Sequence, residues 1–326
     1  MNKKFTRFAT LAFSLALATA SFGVTGAEAA KEFKVGVCQL VEHPALDAAN
    51  KGFVDGLAKA GFKPGVNLVI DQQNAQADQS NLANIAHRFV SQKVDLICAI
   101  ATPAAQTMAN ATDEIPIVGT AITDYVAAKL AKSNDKPGMN VTGTTDMNPV
   151  EAQLDMLVKF VPGIKTVGTI YSSSEVNSQL QVDILKAAAA KRGLKVKEAT
   201  VSTVNDIQQA ARSLVGNCEG IYVPTDNVVA SSVPTLLSIT DEAKLPVIAG
   251  EGSMVKPGCL GSLGVDYYTL GLQTGKMAAE ILSGKAKPET MAIQGQKDCA
   301  AIVNVKTMKN LGLKLPKEFA NAEKVQ

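Results

Sequence analysis

Phe33-Lys-Val-Gly-Val-Cys38 returns in altered form as Lys165-Thr-Val-Gly-Thr-Ile170. Val35-Gly36-Val37 stands against Val167-Gly168-Thr169 at an offset of 132 residues. Val94-Asp95-Leu96-Ile97 then matches Cys218-Glu219-Gly220-Ile221 at 124, and Ile115-Pro116-Ile117-Val118 matches Leu245-Pro246-Val247-Ile248 at 130. The order is the same in both copies, and the offsets drift only by loop length. Two similar α/β lobes in one chain predict a cleft between them, and a cleft predicts a ligand.

The runs around these anchors are short, apolar and β-branched, so they read as strands over 34–39, 67–72, 94–100 and 115–120. The second copy gives 166–171, 195–200, 220–224 and 245–249. Between them lie helical patterns over 46–60, 82–91, 177–192, 206–215 and 231–243. Alternating helices and fully apolar strands predict parallel sheets covered on both faces. Gly61 and Gly193 suit left-handed positions after helices, Asp206 an N-cap, and Pro103 the first turn of a helix. Pro116 and Pro246 open strands, where a missing N–H is tolerated.

The expected fold is therefore α/β, with two doubly wound parallel-sheet lobes joined by a three-segment hinge. Residues 140–148 form the first crossing and 250–253 the second. A helix over 268–282 and a strand over 300–305 belong to the third. These crossings divide the chain into a first lobe of 31–145 plus 253–286 and a second of 146–252 plus 287–326.

Residues 1–30 read as a cleaved signal peptide. Lys3, Lys4 and Arg7 precede an apolar run over 11–20, and small residues end at Ala30. No later segment has the length of a membrane span, so a soluble, exported (periplasmic) protein is expected. Without Lys3, Lys4, Arg7 and Glu28 the chain carries 29 basic and 29 acidic residues, which gives a nucleic acid no electrostatic footprint. Of the five cysteines, Cys38 and Cys98 read as core residues and Cys259 and Cys299 as a candidate pair. No C-x-x-C is present to suggest a metal.

Ligands of open parallel sheets bind beyond the carboxyl ends of the strands. In the first copy those positions hold Gln39, Glu42, His43, Thr102 and Thr123; in the second, Ser173, Ser174, Glu175, Asn177, Asp226, Asn227 and Glu251. Hydroxyls at helix starts, with free N–H groups, suit an anion. Carboxylates suit an ammonium. One wall of each kind describes a receptor for a zwitterion, such as a free amino acid. Arg7, Arg88, Arg192 and Arg212 are the only arginines, and none stands at a strand end to clamp a dianion. Thr102 and Asp226 also suit plain helix caps; Glu251, between Gly250 and Gly252, suits a cap less well. Nucleophile-elbow, zinc-protease, Walker and dinucleotide motifs are all missing, so neither enzyme chemistry nor a cofactor is expected.

Several stretches resemble a known family: Val41-Glu-His-Pro-Ala-Leu-Asp47, Thr102-Pro-Ala-Ala-Gln106, Asn140-Val-Thr-Gly143, Tyr222-Val-Pro-Thr-Asp-Asn227 and Gly264-Val-Asp-Tyr-Tyr268. Together they are similar to ABC-transporter substrate-binding proteins of the type I periplasmic-binding-protein fold, in particular the tryptophan/tyrosine-type subfamily. The resemblance implies a monomeric receptor that closes on an aromatic amino acid and docks on the permease subunits of an ABC importer. Where the family carries a Ser/Thr-rich run, Gly250-Glu-Gly252 stands here, which moves the ammonium contact onto Glu251. The expected roles are Thr102 and Thr123 on the ligand carboxylate, Asp226 and Glu251 on the ammonium, and Glu42 and His43 at the side-chain end. Ser173, Ser174 and Asn177 complete the second wall. The alternatives are an exported α/β enzyme acting on a small polar metabolite, or a ligand sensor for a membrane signalling protein.

Overall fold

A computed structural model describes residues 31–326, so the expected signal peptide lies outside the described residues. The first half runs β1 (Phe33–Gln39), α1 (Pro44–Lys59), β2 (Leu68–Asn74), α2 (Gln79–Gln92), β3 (Leu96–Ile100), α3 (Thr102–Ala111), β4 (Ile117–Ile122) and β5 (Val141–Thr145). The second copy follows as α4 (Val150–Phe160), β6 (Thr166–Ser172), α5 (Val176–Lys191), β7 (Lys195–Val201), α6 (Ile207–Leu214) and β8 (Gly220–Val223). It continues with α7 (Asn227–Ala230), α8 (Val233–Glu242), β9 (Val247–Ala249) and β10 (Gly261–Gly264). The chain ends with α9 (Tyr267–Leu282), β11 (Gln294–Gly295), β12 (Ala300–Asn304), α10 (Val305–Asn310) and β13 (Glu323–Val325).

The repeat is visible in the sheets. One has the order β11-β5-β4-β3-β1-β2 and the other β13-β12-β10-β9-β8-β6-β7. Each contains the same doubly wound core, 2-1-3-4-5 and 7-6-8-9-10. All pairings are parallel except β10 with β12. Even local chemistry is repeated. The Asp95 carboxylate accepts the Lys34 N–H at the start of β1 (2.8 Å), and Glu219 accepts the Thr166 N–H at the start of β6 (2.7 Å).

Each sheet holds a fifth core strand that the sequence reading lacks. β5 (VTGTT) falls where a crossing was expected, and β10 (GSLG) is only 4 residues long. Neither has the apolar, β-branched run that marks the other strands. Consequently Gly261–Gly264 pairs in the second sheet and Gln294–Gly295 in the first, across the division expected from sequence. Gly61 (φ 97°) and Gly193 (φ 68°) take the left-handed positions expected of them. Asp206 instead closes a capping box with Thr203 around the 3-10 turn Val204–Asp206 and gives α6 no side-chain bond. All five cysteines carry free thiols, so Cys259, which is fully buried, and Cys299 are not paired. Burial alone pushes the Cys38 thiol up to about 12.

The return helix α9 is fixed by glycine. Gly52 and Gly56 of α1 face Gly271 and Gly275 of α9, and a Cβ on any of them would overlap the other helix's backbone. The helices thus approach backbone to backbone and join one core with Phe53, Leu57, Met277 and Ala278.

Candidate functional site

The residues just beyond the strand ends of both sheets meet around one small cavity of ≈ 10 Å³. Its walls are His43 and Leu46 after β1, Ala121 at the end of β4 and Asp146 after β5. Thr225, Asp226 and Asn227 follow β8, Glu251 follows β9, and Ala230 and Tyr267 complete the wall. Away from the hinge, which includes Asp146, side chains among the described residues bridge the lobes at two places. His43 Nε2 lies 3.3 Å from Asn227 Oδ1. Thr123 Oγ1 lies 3.3 Å from Thr225 Oγ1, and the Gln181 amide nitrogen donates to both hydroxyls. The two lobes are therefore drawn together.

The first-lobe wall is braced from behind. Gln39 donates to Val41 O (2.9 Å) and Asp47 Oδ1 (2.7 Å) and accepts from Asn50 (3.0 Å), which fixes the loop carrying His43. His43 stands at the N-cap of α1 in extended conformation, but its ring makes no capping bond. Burial pushes its pKa down to about 4, against the opposing Asn227 contact, so the imidazole is neutral. Ala101 (φ 85°) and Ala121 (φ 56°), at the ends of β3 and β4, take left-handed conformations costly for alanine. Such strain persists only where the surrounding structure enforces it, and here it falls at the cleft.

The second-lobe wall is acidic. Asp226 accepts from Ser172 N (2.6 Å), Ser178 Oγ (2.6 Å) and Val229 N (2.9 Å), the last capping α7. Glu175 accepts from Asn227 N (3.1 Å) and Val228 N (3.2 Å), and from the side-chain amides of Asn227 (2.5 Å) and Asn177 (3.1 Å). Burial raises the pKa of both, and for Glu175 the nearby Asp226 charge adds to it. Glu251 accepts from Ser253 N (2.6 Å) and Ser253 Oγ (2.7 Å), so contrary to the sequence reading it does cap a turn, Gly252–Met254. Burial pushes it up to about 7. Asp146 accepts from Thr123 (3.1 Å) and from the Tyr267 hydroxyl (2.6 Å), and burial raises its pKa too.

Asp146, Asp226 and Glu251 thus line one cavity, and among the described residues no lysine or arginine lines it with them. Buried carboxylates without a cation are costly, and a ligand ammonium is a group that would relieve them. The hinge beside the site is tightly tied. Gln153 donates to Gly250 O (3.0 Å) and Leu263 O (2.6 Å) while accepting from Tyr222 (2.9 Å), and Asn148 accepts the Val265 N–H (3.1 Å).

Of the residues expected from sequence, His43, Asp226, Asn227 and Glu251 line the cavity. Thr123, Glu175 and Asn177 stand directly behind them through the bonds above. Thr102 begins α3, where its hydroxyl is buried without a partner among the described residues. Glu42 is exposed at an outer recess, Ser173 and Ser174 are exposed, and Gln39 is the brace already described. Asp146, Thr225, Tyr267 and Gln181 are not among the residues that the sequence points to. Asp146 carries the single charge in the otherwise Thr/Asn/Gly-rich stretch 140–148, a signal that was available. Tyr267 lines the cavity and holds Asp146 from 121 residues away, a contact no local pattern announces.

Two similar doubly wound lobes, tied at a hinge and meeting over buried polar groups, define a two-lobed ligand receptor. The chain belongs to the family of ABC transporter substrate binding proteins, whose pattern matches residues 34–325. It is 44% identical over 283 residues to a tyrosine-binding protein of Clostridioides difficile, covering 87% of this chain and 82% of that one. A Streptococcus pneumoniae protein solved in complex with L-Trp has a TM-score of 0.88 at 39% identity, covering 91% of this chain and all (100%) of that one. A substrate binding protein with adhesive properties from Clostridium difficile, solved ligand-free and open, has a TM-score of 0.69 at 48% identity, covering 90% and 99%.

Proposed function

We propose that the chain is an exported, monomeric receptor that binds a free aromatic amino acid between its lobes and delivers it to the permease of an ABC importer. The observation that carries this reading is the buried trio Asp146, Asp226 and Glu251 around the interlobe cavity, without a basic partner there among the described residues. An ammonium answers it with charge-assisted hydrogen bonds. On the first-lobe side, Thr102, whose buried hydroxyl has no partner among the described residues, and the N–H groups at the start of α3 are the donors we assign to the ligand carboxylate. The tyrosine-binding relative and the L-Trp complex support the aromatic class. On sheet membership, the lobes comprise roughly residues 33–145 plus 265–295 and 146–264 plus 296–326.

A cavity of ≈ 10 Å³ is about the size of one water. An amino acid therefore enters by separation of the lobes, with the hinge absorbing the motion. The TM-scores support this. The chain superposes better on the L-Trp complex (0.88) than on the open, ligand-free protein (0.69), although the latter is more similar in sequence. A rigid-body rotation of otherwise similar lobes would produce that inversion.

Calorimetry with the twenty free amino acids tests the proposal. Tyrosine or tryptophan should bind with micromolar or better affinity, and alanine, glutamate and lysine much more weakly. A protein that binds none of them, or that turns a small metabolite over, is not this receptor.

A further inference from the structure

The hydrogen bonds around His43 fix its tautomer. Both oxygens of Glu175 are acceptors, one taking the Asn227 and Val228 backbone N–H groups and the other the side-chain nitrogens of Asn177 and Asn227. The Asn227 amide nitrogen therefore points at Glu175. Its oxygen faces His43 Nε2 across 3.3 Å. An amide oxygen only accepts, so Nε2 carries the hydrogen. In a neutral imidazole the other nitrogen, Nδ1, is then a bare acceptor.

That acceptor is buried and has no partner among the described residues. His43 is only 6% exposed, so water does not readily substitute. Its N-cap position offers a local use for Nδ1, but no capping bond is made. A buried acceptor left unpaired is destabilising, and its position in the cavity wall points to a donor supplied by the ligand. The ammonium is not that donor. Three carboxylates line the same cavity and bind a cation more strongly than a neutral ring nitrogen does. What remains for His43 is an uncharged O–H or N–H. His43 also borders the outer recess of ≈ 480 Å³, where Pro44, Val233, Pro234, Met254 and Pro257 form an apolar side suited to an aromatic ring and Glu42 and Asp47 a polar one.

We propose that His43 Nδ1 accepts a hydrogen bond from a donor carried on the ligand's aromatic ring, so that the receptor selects a phenol or indole side chain over a plain phenyl. This rests on the amino-acid reading above and goes beyond it by naming the group that discriminates within the aromatic class.

The test is calorimetry of the mature protein with L-tyrosine, L-tryptophan, L-phenylalanine and 4-fluoro-L-phenylalanine, the last matching tyrosine in size without the donor. The wild type should bind tyrosine or tryptophan at least about tenfold more tightly than either phenylalanine, the factor expected when one buried acceptor goes unpaired. In His43→Leu, with folding checked by circular dichroism, that ratio should fall below about threefold. Equal wild-type affinity for tyrosine and 4-fluorophenylalanine overturns the inference and leaves the amino-acid reading standing, as does an unchanged ratio in a folded His43→Leu. Binding of none of the four overturns the amino-acid reading and this inference with it.

Discussion

Glu251 shows how a single buried carboxyl links stability to binding. Its pKa is raised from an ordinary 4.5 to about 7, chiefly by burial. A group raised in the folded state contributes stability that is fully present below its unfolded pKa and is lost as pH rises through the folded one. Ligand-free protein should therefore lose up to about 3 kcal/mol between pH 4.5 and 7 from this residue. Glu251→Gln lacks that loss. Its melting temperature relative to wild type should rise between pH 5 and pH 8, and a constant difference would contradict the assignment. With ligand the sign reverses, because an ammonium holds Glu251 ionised. Wild-type affinity should fall from pH 7 to pH 5, and the variant's should change less. Asp226 is a different case. As a residue seen only in sequence it invites replacement by alanine as a pure binding test. In the structure it receives three hydrogen bonds, from Ser172, Ser178 and Val229. Asp226→Ala should abolish binding and also cost about 3 kcal/mol or more, read as a lower midpoint in urea. The carboxylates were legible because they stand at strand ends. Their second tasks were not, since Asp226 meets Ser172 across 54 residues of sequence.

At the scale of elements, the strands that sequence reveals are those with continuous β-branched runs, and the ones it hides are small and polar. β5 and β10 are held by neighbours rather than by propensity, which is why the expected crossings fell early. Helix packing was equally invisible. Nothing in the spacing of Gly52 and Gly56 announces Gly271 and Gly275, each 219 residues later, as their partners. Yet this contact anchors α9, and α9 begins with Tyr267, which holds Asp146 in the site. Gly271→Ala would drive a methyl into the α1 backbone at Ala49. Overpacking of this kind costs about 1–3 kcal/mol. The melting temperature should drop by several degrees, and ligand affinity should weaken as well, because the helix must shift at the hinge. A variant with wild-type melting would mean that the helices separate freely.

For the whole molecule, the question is how firmly the lobes hold each other. Away from the hinge, where Asp146 takes the Thr123 and Tyr267 hydroxyls, the bridges across the cleft among the described residues are neutral hydrogen bonds at two points, His43 with Asn227, and Thr123 with Thr225 and Gln181. Each such bond contributes only about 1 kcal/mol net, so open and closed arrangements should lie within reach of one another, and the ligand decides between them by binding the closed one better. Thr225→Val tests this balance. It keeps the shape of the side chain and removes the hydroxyl that meets Thr123, while the Thr225 backbone N–H keeps its bond to Gln181 (3.2 Å). The second lobe should fold as before. Losing about 1 kcal/mol of closure shifts the equilibrium about fivefold toward open, and apparent affinity falls by no more than that factor. In small-angle scattering, the ligand-free variant should have a larger radius of gyration than the ligand-free wild type, and saturating ligand should bring both to the same compact value. Identical ligand-free profiles together with unchanged affinity would show that Thr123 and Thr225 do not hold the lobes together. A loss of affinity far beyond fivefold would make Thr225 a direct ligand contact instead.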